Sequence, residues 1–270
     1  MKKLLMGLLG LGMFTSALAQ KSVGLSWGTG HLQRQDLSFS SMKHSTISPL
    51  NLTGTFNYQN SFQEHLIQIG FATYSPSLVE PFTFYTEGGD SSTSYRHNFK
   101  QLNLGYTFLY TIYENGNLKV KAGLNQENRL IASEYYYAIS SSFSYYFSFG
   151  VNAAVKAEYA WKEENKFTLM GRASLFAFNA RSPYLGIDDH YLEDNYSHKS
   201  FNAFLNYISN ARFQSLGKYQ YLDILMVYDR TLNDKWSFNA SYQLGLNFNQ
   251  SPTHFASVLN VLYLGMNYTL

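Results

Sequence analysis

The chain contains no cysteine, only 5 prolines and, at 14%, few charged residues. Without cysteine there is neither a disulfide framework nor a lipidated N-terminal cysteine. Beyond the first 20 residues no stretch approaches the roughly 20 uninterrupted apolar residues that a membrane-spanning helix needs. Any membrane span must therefore be built from strands. Net charge is missing as well: two of the 20 basic residues are Lys2 and Lys3, which leaves 18 basic against 18 acidic residues in the rest of the chain. A nucleic-acid partner chosen by bulk charge is thereby disfavoured. Aromatic residues are abundant, at 17% with Tyr 23 and Phe 21, a composition that few soluble proteins share.

Lys2 and Lys3 precede an apolar run (Leu4, Leu5, Met6, Leu8, Leu9, Leu11, Met13, Phe14) that ends at Ala17-Leu18-Ala19. Residues 1–19 read as a secretory signal peptide cleaved before Gln20. Residues 20–270 then form one exported domain.

From Trp236 to Asn249 the chain alternates almost without interruption. Trp236, Phe238, Ala240, Tyr242, Leu244, Leu246 and Phe248 share one face, and Ser237, Asn239, Ser241, Gln243, Gly245, Asn247 and Asn249 the other. A period of two predicts a strand with lipid on the apolar side and a polar lumen on the other. Similar segments lie around Val23 to Gly30, Leu50 to Tyr58, Ile67 to Phe71, Gln101 to Ile112, Leu118 to Arg129, Phe143 to Trp161, Phe167 to Leu175, Leu222 to Tyr228 and Ala256 to Leu270. The glycines of the first suggest close packing on an inner plug or a sharp bend.

Short turns at Gln59 to Ser61, Glu114 to Asn117, Lys162 to Asn165 and Asn233 to Lys235 alternate with longer polar connections, the asymmetry of periplasmic turns and outer loops. With both termini periplasmic the strand number is even. The expectation is a closed antiparallel all-β barrel of about ten strands, with twelve as the alternative. Arg181 to Gly217 is then one long outer excursion. Within it, Ser200 to Phe213 reads as a short helix, because Phe201, Phe204, Leu205 and Ile208 form a stripe at helical spacing, with Ser197 or Ser200 as its cap.

The last residues carry a more specific signature. Tyr263, Gly265, Tyr268 and Leu270 resemble the C-terminal signal read by the barrel assembly machinery, with a glycine two residues after an aromatic one and apolar or aromatic residues at alternate final positions; Leu replaces the commoner terminal Phe. The chain from Gln20 onward thus resembles the outer-membrane β-barrel proteins of Gram-negative bacteria. That resemblance implies outer-membrane lipids, lipopolysaccharide and the assembly machinery as partners.

The inward positions are expected to carry Glu64, Lys119, Lys121, Glu127, Arg129, Lys156, Glu158, Arg172, Asp223 and Asp229, five basic and five acidic. In a barrel of about ten strands such charges pair and fill the interior, since aqueous channels accompany roughly 16 to 18 strands. A narrow ion path is the alternative. Outward charge is confined to rims, as at Lys100 and Arg230, and Trp27, Trp161 and Trp236 read as girdle residues.

Two segments invite a test for catalysis. His198 and Ser200 have the spacing that places both on one side of a strand, where His can deprotonate Ser. Outer-membrane lipid hydrolases, the phospholipase A and lipid A deacylase families, use such a pair, but Phe201 stands where they have Asn. Asp188-Asp189-His190 resembles half of an omptin-type protease site, without an Asp-x-Asp partner elsewhere. With Glu193 and Asp194 it offers oxygen ligands for a divalent cation, although a solvated loop explains it as well. No cofactor or metal is expected. Tyr85, Tyr95, Tyr135, Tyr136, Tyr137, Tyr184, Tyr191, Tyr196 and Tyr207 fall in predicted outer loops, where rigid amphipathic rings suit recognition of a glycan or protein ligand. The function expected is therefore structural or surface ligand-binding rather than enzymatic, with a narrow channel and a lipid hydrolase as alternatives.

Overall fold

The structure, a computed structural model, describes residues 20–77, 81–85, 87–137, 140–162, 164–182, 208–209 and 211–270. Among the described residues thirteen strands follow in order: β1 (Gln20–Asp36), β2 (Ser40–Gln59), β3 (Gln63–Tyr74), β4 (Thr83–Tyr85), β5 (Ser91–Thr93), β6 (Asn98–Asn115), β7 (Leu118–Tyr137), β8 (Ser140–Trp161), β9 (Asn165–Arg181), β10 (Arg212–Ser215), β11 (Tyr219–Thr231), β12 (Trp236–Asn249) and β13 (Phe255–Thr269). Ten of them are antiparallel staves of a closed barrel, in the order β1-β2-β3-β6-β7-β8-β9-β11-β12-β13, with β13 returning to β1 from Ser22↔Thr269 to Asp36↔Phe255. Closure leaves no open edge within the lipid, where unpaired backbone groups would be costly.

The remaining strands decorate one end. β4 and β5 form a separate hairpin. β10 pairs with the upper part of β9, from Arg212↔Asn179 to Ser215↔Phe176, above the stretch that β9 shares with β11. The helix expected over 200–213 lies largely outside the described residues. Ile208 and Ser209 have helical backbone, but Arg212 and Phe213 belong to β10, so the C-terminal end of that expectation is corrected.

The short connections after β2, β6, β8 and β11 share one end with Gln20 and Thr269. Gly116 serves the second, with a positive φ of 54° that other residues rarely adopt. This end is periplasmic. The opposite, extracellular end is taller, because β1, β2, β7 and β8 run for 17, 20, 20 and 22 residues, where about 9–11 cross the bilayer. Ile67, Ile69 and Phe71 of β3, Leu102 and Leu104 of β6, and Leu262, Leu264 and Met266 of β13 stand exposed on the outer face, as a lipid-facing band requires. On β1 the outward positions change from Val23, Leu25 and Trp27 to His31, Gln33 and Gln35. The strand leaves the lipid there, and the residues beyond lie outside the membrane.

Candidate functional site

The lumen is filled by side chains in three ionic layers. Nearest the periplasm, Lys121 and Lys156 each donate to both Glu64 and Glu158: Lys121 Nζ lies 2.5 Å from Glu64 Oε2 and 2.7 Å from Glu158 Oε2, and Lys156 Nζ 2.7 and 2.9 Å from the other two oxygens. The register brings them together: Lys121 of β7 stands opposite Lys156 of β8, and the odd positions of β7 and the even positions of β3 and β8 point inward near the short turns. Lys166 lies 3.9 Å from both Glu158 and Asp229 at the mouth of this cluster. Lys119 stands apart, paired with Glu114 at the rim.

In the middle, Arg172 on β9 donates to Asp223 Oδ1 on β11 through Nε at 3.0 Å and Nη2 at 2.6 Å, and Gln243 donates to Asp223 Oδ2 at 2.6 Å. Arg129 donates to Glu127 at 2.8 Å and lies over the Tyr221 ring. Between these pairs is a cavity of about 40 Å³, room for on the order of two or three water molecules. Asn103 Oδ1 and Glu127 Oε2, both buried without a protein partner, belong to residues that line it. Ordered water would satisfy them.

Gly28 has a packing role in this interior. A Cβ there would sit 2.6 Å from the Tyr263 ring and 2.5 Å from the Leu262 carbonyl, so only glycine admits the inward Tyr263. The glycines of β1 thus allow the wall to approach inner side chains.

The extracellular layer was missing from the expectation. Arg34 and Asp36 of β1 and Arg181 of β9 are buried together, with both guanidiniums on the one carboxylate. Arg34 also donates to Ser133 at 2.7 Å and lies over Phe99 and Phe255, while Arg181 donates to the Thr253 carbonyl at 2.6 Å. Leu32, Phe39, Tyr74, Phe99 and Tyr135 pack around them. The signal that would have found Arg34 and Asp36 is the even phase of Gly24, Ser26, Gly28 and Gly30 carried upward along β1.

The tyrosines separate into two groups. Tyr85 and Tyr95 are 77% and 68% exposed, beside exposed Phe82. Tyr136 packs on Tyr95 with ring centroids 5.6 Å apart and donates to Glu134 at 2.9 Å. Tyr135 is instead fully buried, stacked on Phe39. Its assignment to the recognition surface is corrected, because the strand period turns it into the lumen beside Ile131 and Ser133. Tyr137 ends β7, and its side chain lies outside the described residues, as do Tyr184, Tyr191, Tyr196, Tyr207, the acidic segment from Asp188 to Asp194, and the pair His198 and Ser200. Among the described residues no group of three or more His, Cys, Asp or Glu could hold a metal ion.

At the C-terminus, Tyr268 packs outward on Trp236 with centroids 4.9 Å apart, Gly265 faces Ser26 and Asn239, and the Leu270 amide donates to the Lys21 carbonyl at 2.9 Å. The residues of the predicted assembly signal thus lie on the strand that closes the barrel.

No protein-family model and no curated protein matches the chain. Solved structures do. The outer membrane protease OmpT from Escherichia coli matches with a TM-score of 0.52 at 7% identity, over 93% of this chain and 96% of that one. Neisserial surface protein A matches over 93% and 97% at 10% identity and a TM-score of 0.38, and the P. putida toluene transporter TodX over 95% and 90% at 8% and 0.35. The first of these shows a shared fold and, at such identity, nothing finer. With its closed ring of ten staves, apolar outer band and polar packed interior, the chain has the fold of the Gram-negative outer-membrane β-barrels.

Proposed function

We propose that the barrel is a rigid pedestal for surface recognition and that the aromatic residues at its extracellular end bind a glycan or protein ligand. The observation that carries this reading is the exposure of Tyr85, Tyr95 and Phe82 above a lumen whose charges are paired with one another. Rings of this kind offer large contact area with little side-chain entropy to lose, and their hydroxyls add direction. Tyr184, Tyr191 and Tyr196 would extend the surface from the outer excursion between β9 and β10.

A narrow channel would need a continuous water path, and the three ionic layers disfavour it. A lipid hydrolase would need His198 and Ser200 in contact; unchanged lipid A mass spectra in cells with and without the protein would count against it. Residues 1–19 as export signal and the Tyr263 to Leu270 segment as assembly signal belong to the same proposal.

The test is adhesion of cells displaying the protein to arrayed glycans and to immobilised host-surface proteins. Replacing Tyr85, Tyr95 and Tyr136 together by Ala is expected to abolish binding while the heat-modifiable folded band persists, and removal of residues 188–199 to weaken it. Undiminished binding by both variants would overturn the reading.

A further inference from the structure

His44 projects from β2 into the extracellular layer and is 1% exposed, with no hydrogen-bond partner for either ring nitrogen. Aromatic rings enclose it: His97, Phe99 and Tyr135 lie with centroids 4.8, 5.8 and 5.6 Å away, all at steep angles to its plane. Such a box accommodates a neutral imidazole, whose N–H can rest on a ring face. Neither ring nitrogen has a hydrogen-bond acceptor in place, so the second N–H of an imidazolium would be buried unpaired.

The charged surroundings are equally one-sided. Directly opposite His44 across the β1–β2 pair is Arg34, and Arg34 and Arg181 already share Asp36. Facing His44 are therefore Arg34 and Asp36 from β1, His97 from the segment before β6 and Tyr135 from β7, with Arg181 of β9 behind the carboxylate. The His97 Nδ1 accepts the Tyr136 amide at 2.9 Å, which ties that ring to β7 in its neutral form. A proton on His44 would place a third cation against one carboxylate.

We propose that His44 is the trigger of an acid-released latch that holds the upper β1–β2 hairpin and the segment before β6 onto the rest of the extracellular lumen. At neutral pH the uncharged ring completes the aromatic packing and the latch is shut. On acidification the proton is taken up by the open form, in which water reaches the ring, and closure weakens.

Burial, followed by His97 and Arg34, lowers the His44 pKa to about 4 from its ordinary 6.5. The group therefore binds its proton more readily when open. Closure is at full strength above about 6.5, declines as pH falls towards about 4, and changes no further below that. The span corresponds to at most about a 300-fold rise in the open fraction.

Hydrogen–deuterium exchange of the full barrel, corrected for the intrinsic pH dependence of exchange, tests this. Between pH 7 and pH 4, amides of residues 31–46 and 94–99 should gain up to that factor, while residues 64–72 and 102–130 stay protected. His44→Phe should remove the acid response. Arg34→Met, which deletes the neighbouring cation, should raise the closed-form pKa, so that the response levels off at a higher pH and is smaller; a folding failure of the first variant thus leaves a second reading. No acceleration in the parent protein, an acceleration that survives His44→Phe, or one that disappears in His97→Gln with His44 intact would overturn the proposal.

Discussion

The periplasmic quartet makes a quantitative claim about Glu64. This carboxylate is fully buried and accepts from both Lys121 and Lys156, at 2.5 and 2.7 Å. Glu64→Gln keeps the shape but turns an amide N–H towards one lysine, leaving two buried cations to share Glu158. Breaking a buried pair from one side costs about 3–5 kcal/mol. With a guanidinium dependence of about 2–6 kcal/mol per molar, the unfolding midpoint should fall by roughly 0.5–2.5 M. Tryptophan fluorescence of the barrel in lipid vesicles, followed against denaturant, reads it directly. Adding Lys121→Met to Glu64→Gln restores the balance of one lysine to one glutamate and should recover at least half of the loss. If Glu64→Gln lies within about 0.5 kcal/mol of the parent, or if the double variant is less stable than the single one, the charges do not form the coupled network described.

Two other substitutions probe the wall. Gly28→Ala drives a methyl into Tyr263 and the Leu262 carbonyl and should destabilise by about 1–3 kcal/mol, whereas Gly54→Ala, with open space around its Cβ, should be close to neutral in the same denaturation. Leu264→Arg places a cation on the exposed outer band and should cost about 2–4 kcal/mol. A negligible effect would place β13 away from mid-bilayer.

The staves were legible in the sequence wherever lipid touched them. On β12 the membrane demands apolar residues at every second position while the lumen demands polar ones, so face and phase could be read together. The four short turns followed from the same contrast. Above the bilayer that contrast disappears: His31, Gln33 and Gln35 face water outside while Leu32, Arg34 and Asp36 pack inside, and the upper halves of β1 and β2 passed for loop. Arg181 was hidden for another reason. An irregularity opposite Val151 and Asn152 shifts the phase of β9, so the inward series Arg172, Ser174 continues as Ala177, Asn179, Arg181. The run Tyr135-Tyr136-Tyr137 carries no contrast at all, and only its register separates the buried ring from its neighbour. β10 is four residues long and mixed in character, too short for a period to show.

The filled lumen is the claim on which the surface reading rests, and amine labelling of the native barrel in vesicles tests it most directly. Lys121 is 1% exposed at its side chain and Lys166 47%. After brief exposure to a small amine-reactive reagent admitted to both sides, peptide mass spectrometry should find Lys43, Lys162 and Lys166 modified and Lys121 and Lys156 untouched, until denaturation exposes all five. Modification of Lys121 and Lys156 at the rate of Lys166 in the folded barrel would mean an open, watered lumen and would contradict the account.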